Sequence, residues 1–418
     1  MSHFLDKHRI GMKLLGNMFE RFVQNGSLSI IDANGDLHEF YGTASPSVTI
    51  QFHDPDLPLK LFRNFELNLG EGYMNGTITF VDCTLTNFLE LFSLNRSSMA
   101  AYPMQQMLRR VSRMLRSFQQ RNPIGKAQQN IAHHYDLSRT LYALFLDKDL
   151  QYSCGYFLSP DDTLETAQEN KKRHIAAKLN LADGQRILDI GCGWGGMALY
   201  LARCADVEVL GVTLSEEQYR LANERAEAQG LAHRVRFELL DYRHVKGPFD
   251  RIVSVGMFEH VGVSRYDEFF HHVFNLLPDD GLALLHSIGH MSPPGVASPW
   301  LRKYIFPGAY SPALSEVFAA TERQHLWVSD VDVLRVHYAD TLVEWNRRFQ
   351  EHRQEIAEIY DERFCRMWEF YLISAETMFR TGAQMVFQML LSRTRDAVPL
   401  SRDYMFENEQ NLFKIDKK

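Results

Sequence analysis

The chain has 418 residues, 45% of them apolar, which suffices for a large core and more than one domain, and its net charge of −7 lacks the basic face of a general nucleic-acid binder. No run approaches the ~20 apolar residues of a membrane span, and the start "MSHFLDKHRIGMKLLGNMF" lacks the apolar core of a signal peptide. The five cysteines form no CxxC or zinc spacing, which argues against a bound metal and fits a reducing cytoplasm.

Residues 1–95 mix strand-like runs ("SLSIID", "SVTIQFHD", "GTITFVD") with the helical "LPLKLFRNFELNLGEGYM", and read as a small α+β domain. Residues 96–130 form a linker inside an acid-free run between Glu90 and Asp136. Within it, "MQQMLRRVSRMLRSF" places Met104, Met107, Leu108, Val111, Met114, Leu115 and Phe118 on one helical stripe, with Arg109, Arg110, Arg113 and Arg116 elsewhere. Such a basic amphipathic helix suits an anionic membrane surface, and equally a helix that packs its stripe on a neighbouring domain.

Residues 131–418 read as a second, α/β domain. "QRILDIGCG", "VEVLGVTLS", "VRFELLD", "FDRIVSVGMF" and "LALLHSIG" are strand candidates, with "GMALYLARC", "SEEQYRLANERAEAQ" and "RYDEFFHHVFNLL" as helices between them. This alternation implies a largely parallel, Rossmann-like sheet covered on both faces. After residue 340 an aromatic-rich helical region (Trp345, Phe349, Tyr360, Phe364, Trp368, Tyr371) has the spacing of core rather than of a cofactor box.

The first strand runs into "DIGCGWGG", with Asp189, Gly191, Gly193, Gly195 and Gly196. Glycines at such a turn let the backbone approach a ligand closely. A nicotinamide dinucleotide would use a similar turn. However, Asp189 suits an ammonium better than a pyrophosphate, and the second strand ends in Thr213 and Ser215 where a ribose carboxylate belongs, although Glu216 and Glu217 lie just beyond. S-adenosylmethionine (SAM) matches better, with Asp241 at the next strand's end placed to read an adenine amino group. In "FDRIVSVGMFEHVG", residues 252–258 read as a strand buried on both faces, so Glu259 arrives as a costly carboxylate that needs a partner.

Taken in order, "HHYDLS", "QYSCGYF", "ILDIGCGWGG", "GVTLSEEQ", "DYR", "FDRIVSVGMFEHVG", "LLHSIG" and "KYIFPG" resemble the cyclopropane-fatty-acyl-phospholipid synthases and the related mycolic acid cyclopropane synthases. The likeness runs from about residue 60 to about residue 395. It implies a class I SAM-dependent methyltransferase fold with a smaller N-terminal α+β domain for lipid access and dimerisation. It also implies a homodimer at the inner face of the membrane and a methylene bridge set across cis double bonds of phospholipid acyl chains.

An alkene is a poor nucleophile with no proton to remove, so the sulfonium methyl must be held in line and dry. The cation so formed closes to a ring only if a base takes a proton from the new methyl. The resemblance makes that base a bound bicarbonate, with Cys154, Glu259, His286, Ile288 and Tyr338 as its ligands. Tyr152, Ser153, Asp189, Gly191, Gly193, Thr213, Leu214, Gln218, Asp241 and Tyr242 then surround the cofactor. By spacing alone His286 reads as a core histidine, Cys154 as a buried hydrophobe, and His337 competes with Tyr338. Relatives with similar motifs make methyl-branched or furan-precursor products without ring closure.

Overall fold

Leu28 and Ile30 alternate with Ser27 and Ser29, and this period of two makes β1 (Asn25–Ile31) a strand with one buried face. A computed structural model describes residues 2–96, 98 and 139–416. The basic helix expected at 104–118, and His133 and His134, lie outside the described residues. β1 pairs antiparallel with β2 (Leu37–Tyr41) and parallel with β3 (Thr43–Phe52), which pairs antiparallel with β4 (Ile78–Val81). β2 escaped the sequence reading because only Phe40 of its five residues is buried. Asn64 breaks the expected long helix into Leu57–Arg63 and Phe65–Met74, its side chain accepting from the Leu67 N–H.

The chain divides into two compact units. The first takes residues 1–116, and with them 296–307 and 345–382 from inside the 131–418 stretch. Trp345, Phe349, Trp368 and Tyr371 are buried and so belong to a core, whereas Tyr360 and Phe364 of the same stripe are half-buried.

The second unit holds a seven-stranded sheet in the order β10-β11-β9-β8-β5-β6-β7. β5 (Arg186–Ile190), β6 (Glu208–Thr213), β7 (Val235–Leu239), β8 (Arg251–Val255) and β9 (Leu282–His290) are parallel. Apolar clusters cover both faces, Ile190 and Phe270 on one, Ile187 and Leu201 on the other. β10 (Trp327–Val333) and β11 (Gln384–Ser392) add an antiparallel edge absent from the sequence reading. β8 ends three residues sooner than expected. Gly256 turns left-handed at φ +68°, and Phe258–His260 is a single 3₁₀ turn, so Glu259 sits just past the strand. Phe258 anchors that turn by stacking on Tyr266 at 4.3 Å. β5 lies between β6 and β8, so the order reverses there, and this switch point is where open α/β sheets bind ligands.

Candidate active site

Three glycines shape the turn after β5, all with positive φ: Gly191 (+80°), Gly193 (+52°) and Gly195 (+85°). A Cβ at Gly195 would lie 2.7 Å from the Phe237 ring, and one at Gly191 2.8 Å from Met257. Side chains are therefore excluded twice, by backbone and by space. The Gly191 and Cys192 N–H groups both donate to the Val212 carbonyl, tying the turn to β6. Thr213 closes β6 and donates through Oγ1 to Gln218 Oε1 at 2.8 Å, while Ser215 caps the helix Glu216–Ala228 by accepting from the Gln218 N–H. Beyond β7, Asp241 caps the short turn Tyr242–His244 and grips Arg243 with both oxygens, at 2.8 and 2.6 Å. Burial pushes this carboxyl up, but the guanidinium outweighs it and holds Asp241 below its ordinary range.

Tyr152, Ser153, Asp189, Gly191, Gly193, Thr213, Leu214, Gln218, Asp241 and Tyr242, all ten expected cofactor residues, line one open cavity. Asp189 is its electrostatic focus. It is 1% exposed, and its Oδ2 has no hydrogen-bond partner among the described residues. Burial raises its carboxyl to about 7, against the Ala198 N–H and the Lys171 ammonium, which pull it down. An unpartnered buried carboxylate oxygen in this cavity fits a ligand that brings a cation. Trp194, Met257, Arg243 and His260 also line it, and none was expected there. Burial pushes the His260 imidazole down to about 4, so it is neutral at physiological pH.

Next to the cavity lies a feature that sequence reasoning missed. Lys171 is fully buried and donates to Gln151 Oε1 and Ser153 Oγ, both at 2.7 Å. Burial lowers its ammonium to about 8. Its field reaches Cys154, Asp189 and His286. It belongs to the helix Leu164–Lys178, whose formula "LETAQENKKRHIAAK" gives no apolar stripe to mark it as buried.

Glu259 is buried, and Oε1 accepts from the Ile288 N–H at 2.7 Å. Its Oε2 has no partner among the described residues. Burial raises this carboxyl to about 7, with the Ile288 N–H and Ser287 opposing. The resemblance assigns the Ile288 N–H to an anion, whereas here it holds Glu259. Tyr310 fixes the turn from behind, donating its N–H to the Glu259 carbonyl at 2.9 Å. His286 is buried on β9 and sits opposite Val255 of β8, and burial drives its imidazole well below the usual range.

Cys154 is buried, and burial raises its thiol, so the sulfur is no thiolate. Thr341 Oγ1 accepts from the Gly155 N–H at 2.9 Å, and His337 Nδ1 accepts from the Phe157 N–H at 3.2 Å. These bonds fasten the start of the helix His337–Glu351, which carries the buried Tyr338, beside the Cys154 segment. His337 is thus committed to the backbone. Glu259 and Ile288 meet directly and His286 stands two residues before Ile288 on β9, while the segment of Cys154 and the helix of Tyr338 are joined through Thr341 and His337.

The sequence profile of the family described as "Mycolic acid cyclopropane synthetase" matches residues 123–389. The chain is 38% identical to the cyclopropane-fatty-acyl-phospholipid synthase of Escherichia coli K12, over 84% of this chain and 89% of that protein. It is 34% identical to the tuberculostearic acid methyltransferase UfaA1 of Mycobacterium tuberculosis, over 84% of this chain and 85% of that one. Among solved structures, the mycolic acid cyclopropane synthase CmaA1 complexed with SAH and CTAB superposes with a TM-score of 0.61 at 33% identity, covering 65% of this chain and 99% of that one.

Proposed function

The chain belongs to the mycolic acid cyclopropane synthetase family of SAM-dependent methyltransferases, and we propose that it is a cyclopropane-fatty-acyl-phospholipid synthase. The observation that carries this reading is Glu259, a buried carboxylate with one oxygen unpartnered among the described residues, just past β8 and within two residues of cavity-lining Met257 and His260. SAM is the methyl donor in this reading, with its ammonium toward Asp189 and its adenosine among Thr213, Gln218, Asp241 and Tyr242. When bound, SAM would supply its methyl carbon to the alkene as the carbon–sulfur bond breaks, and the electron pair of one methyl C–H would then close the ring.

The chemistry of these side chains suits bicarbonate, since Glu259 Oε2 can accept the one proton of a small anion and a neutral His286 can donate to it. When bound, that ion would supply the base for the methyl proton. Ile288 then orients Glu259 rather than the ion, and Cys154 and Tyr338 complete the wall. The homodimer and the inner-face, anionic membrane location belong to the same proposal. No described helix is long and apolar enough to cross a membrane.

A second reading, methylation without ring closure, is favoured by the likeness to UfaA1. Unsaturated phospholipid vesicles incubated with the protein and CD3-labelled SAM separate the two. A ring keeps CD2 and leaves no double bond, whereas a cation that loses a chain proton instead keeps CD3 beside a remaining double bond, as read by mass spectrometry of the fatty acids. Unmodified vesicles would overturn both.

A further inference from the structure

Across β9, β11 and β10, the residues His286, Gln388 and Asp332 are direct cross-strand partners. Lys178, from the end of the helix Leu164–Lys178, reaches in and donates to Gln388 Oε1 and Asp332 Oδ2, both at 2.8 Å. Asp332 Oδ2 also meets His174 Nε2 at 3.0 Å, and His174 Nδ1 meets Glu409 at 3.2 Å. Gln388 is 1% exposed and His286 2%.

The donor rules leave one arrangement. A lysine nitrogen in this position donates, so the side facing Lys178 must be the amide oxygen of Gln388. The amide nitrogen therefore faces His286, and it too can only donate. His286 Nδ1, 3.2 Å away, must then be the bare nitrogen. A neutral imidazole with a bare Nδ1 carries its proton on Nε2, at the far edge of the ring.

We infer that Gln388, locked by Lys178 and Asp332, is a positioning residue that fixes His286 in the Nε2–H tautomer, so that the ring presents a donor to a bound anion. The catalytic half of this inference rests on the proposed reading of the site; the tautomer half does not. Nothing in the reaction touches Gln388 itself. Its sequence signal is the same as that of Glu259, a lone polar residue in an apolar run, here "MVFQMLLS".

The test is ¹⁵N NMR of the full chain with labelled histidine, with the His286 signals assigned by loss in His286→Gln. The wild type should show Nδ1 bare and Nε2 protonated. In Gln388→Glu the carboxylate pairs with Lys178 and accepts from Nδ1–H, so the two signals should exchange. Turnover should fall roughly 100-fold, as when an outer-shell partner is lost, with SAM affinity within about twofold of wild type. A wild-type ring protonated on Nδ1 would overturn the inference whatever the variant does. So would a Gln388→Glu protein that keeps the wild-type tautomer. Exchange of the signals with unchanged turnover would remove the catalytic half. A wild type that shows the expected tautomer but leaves phospholipids unmodified would overturn the proposed function and leave the tautomer standing.

Discussion

The glycine turn after β5 and the helix Leu164–Lys178 lie in the same unit, and both serve the cofactor cavity, yet they were built by opposite means. The turn follows an apolar strand, and its glycines are required by local backbone geometry, with φ from +52° to +85°. The helix buries Lys171, Lys172, Arg173 and Lys178. Lys172 pairs with Asp149 at 2.7 Å, Arg173 with Asp416 at 2.6 Å, and Lys178 with Asp332 at 2.8 Å. Those partners come from a loop, the C-terminal helix Asp403–Asp416 and β10, all distant in sequence. A motif that depends on its own backbone announces itself, whereas one that depends on remote partners does not.

Breaking each region in turn sharpens the contrast. The largest effect should come from Glu259→Gln, in the announced part of the site. An amide keeps the shape but cannot accept at both oxygens, so turnover should fall roughly 1000-fold. SAM affinity should stay within about twofold, because Glu259 does not line the cavity. Labelled-lipid turnover alongside calorimetric SAM binding checks this, and a parallel loss of both would remove the distinction drawn between Glu259 and the cofactor cavity.

Lys171→Met strikes the hidden part and should show the reverse pattern. It leaves Gln151 Oε1 and Ser153 Oγ without their donor, and it also relieves a buried charge whose cost is visible in the lowered ammonium. Those effects partly offset, so stability should drop by only about 1 kcal/mol. Gln151 and Ser153 line the cavity, and SAM affinity should therefore weaken by about 2 kcal/mol, roughly thirtyfold. Thermal unfolding and calorimetry together would show whether Lys171 only props the fold, in which case affinity would not move.

The same contrast explains what was legible. Four of the five parallel strands were readable as apolar runs buried on both faces, and β7, at the edge, by its alternation of Val235 and Phe237 with Arg236 and Glu238; together they fix where Asp189, Thr213, Asp241 and Glu259 stand. The family resemblance supplied Cys154, Tyr338 and the cofactor residues beyond the strand ends. β10 was not readable, since "WVSDVDV" carries three polar residues and sits at the sheet edge. β11 is apolar but lies directly after an aromatic helix, and periodicity does not separate a short apolar strand from helix. Lys171 needed the tertiary structure, because it is defined by what it donates to, and Gln388, although marked as a polar residue in an apolar run, takes its role only from its cross-strand partners.

Asp189 offers the smallest effect and the sharpest control. Its carboxyl and that of Glu259 are both raised to about 7 in the folded chain, from 3.8 and 4.5. Between those values and about 7 the folded state holds more protons than the unfolded one, so the free energy of unfolding falls as pH rises through that window. A cation bound beside Asp189 favours the carboxylate, lowers its pKa in the complex and expels the proton. SAM affinity should therefore rise with pH and level off above about 7, with a difference of roughly eightfold between about pH 6 and about pH 7.5. Calorimetry in buffers of different ionisation enthalpy should detect proton release at the lower pH. In Asp189→Asn the affinity should be weaker and flat across the range, because no proton remains to expel. A wild-type affinity independent of pH would mean that Asp189 does not meet the ammonium, and its unpartnered oxygen would then need another cation.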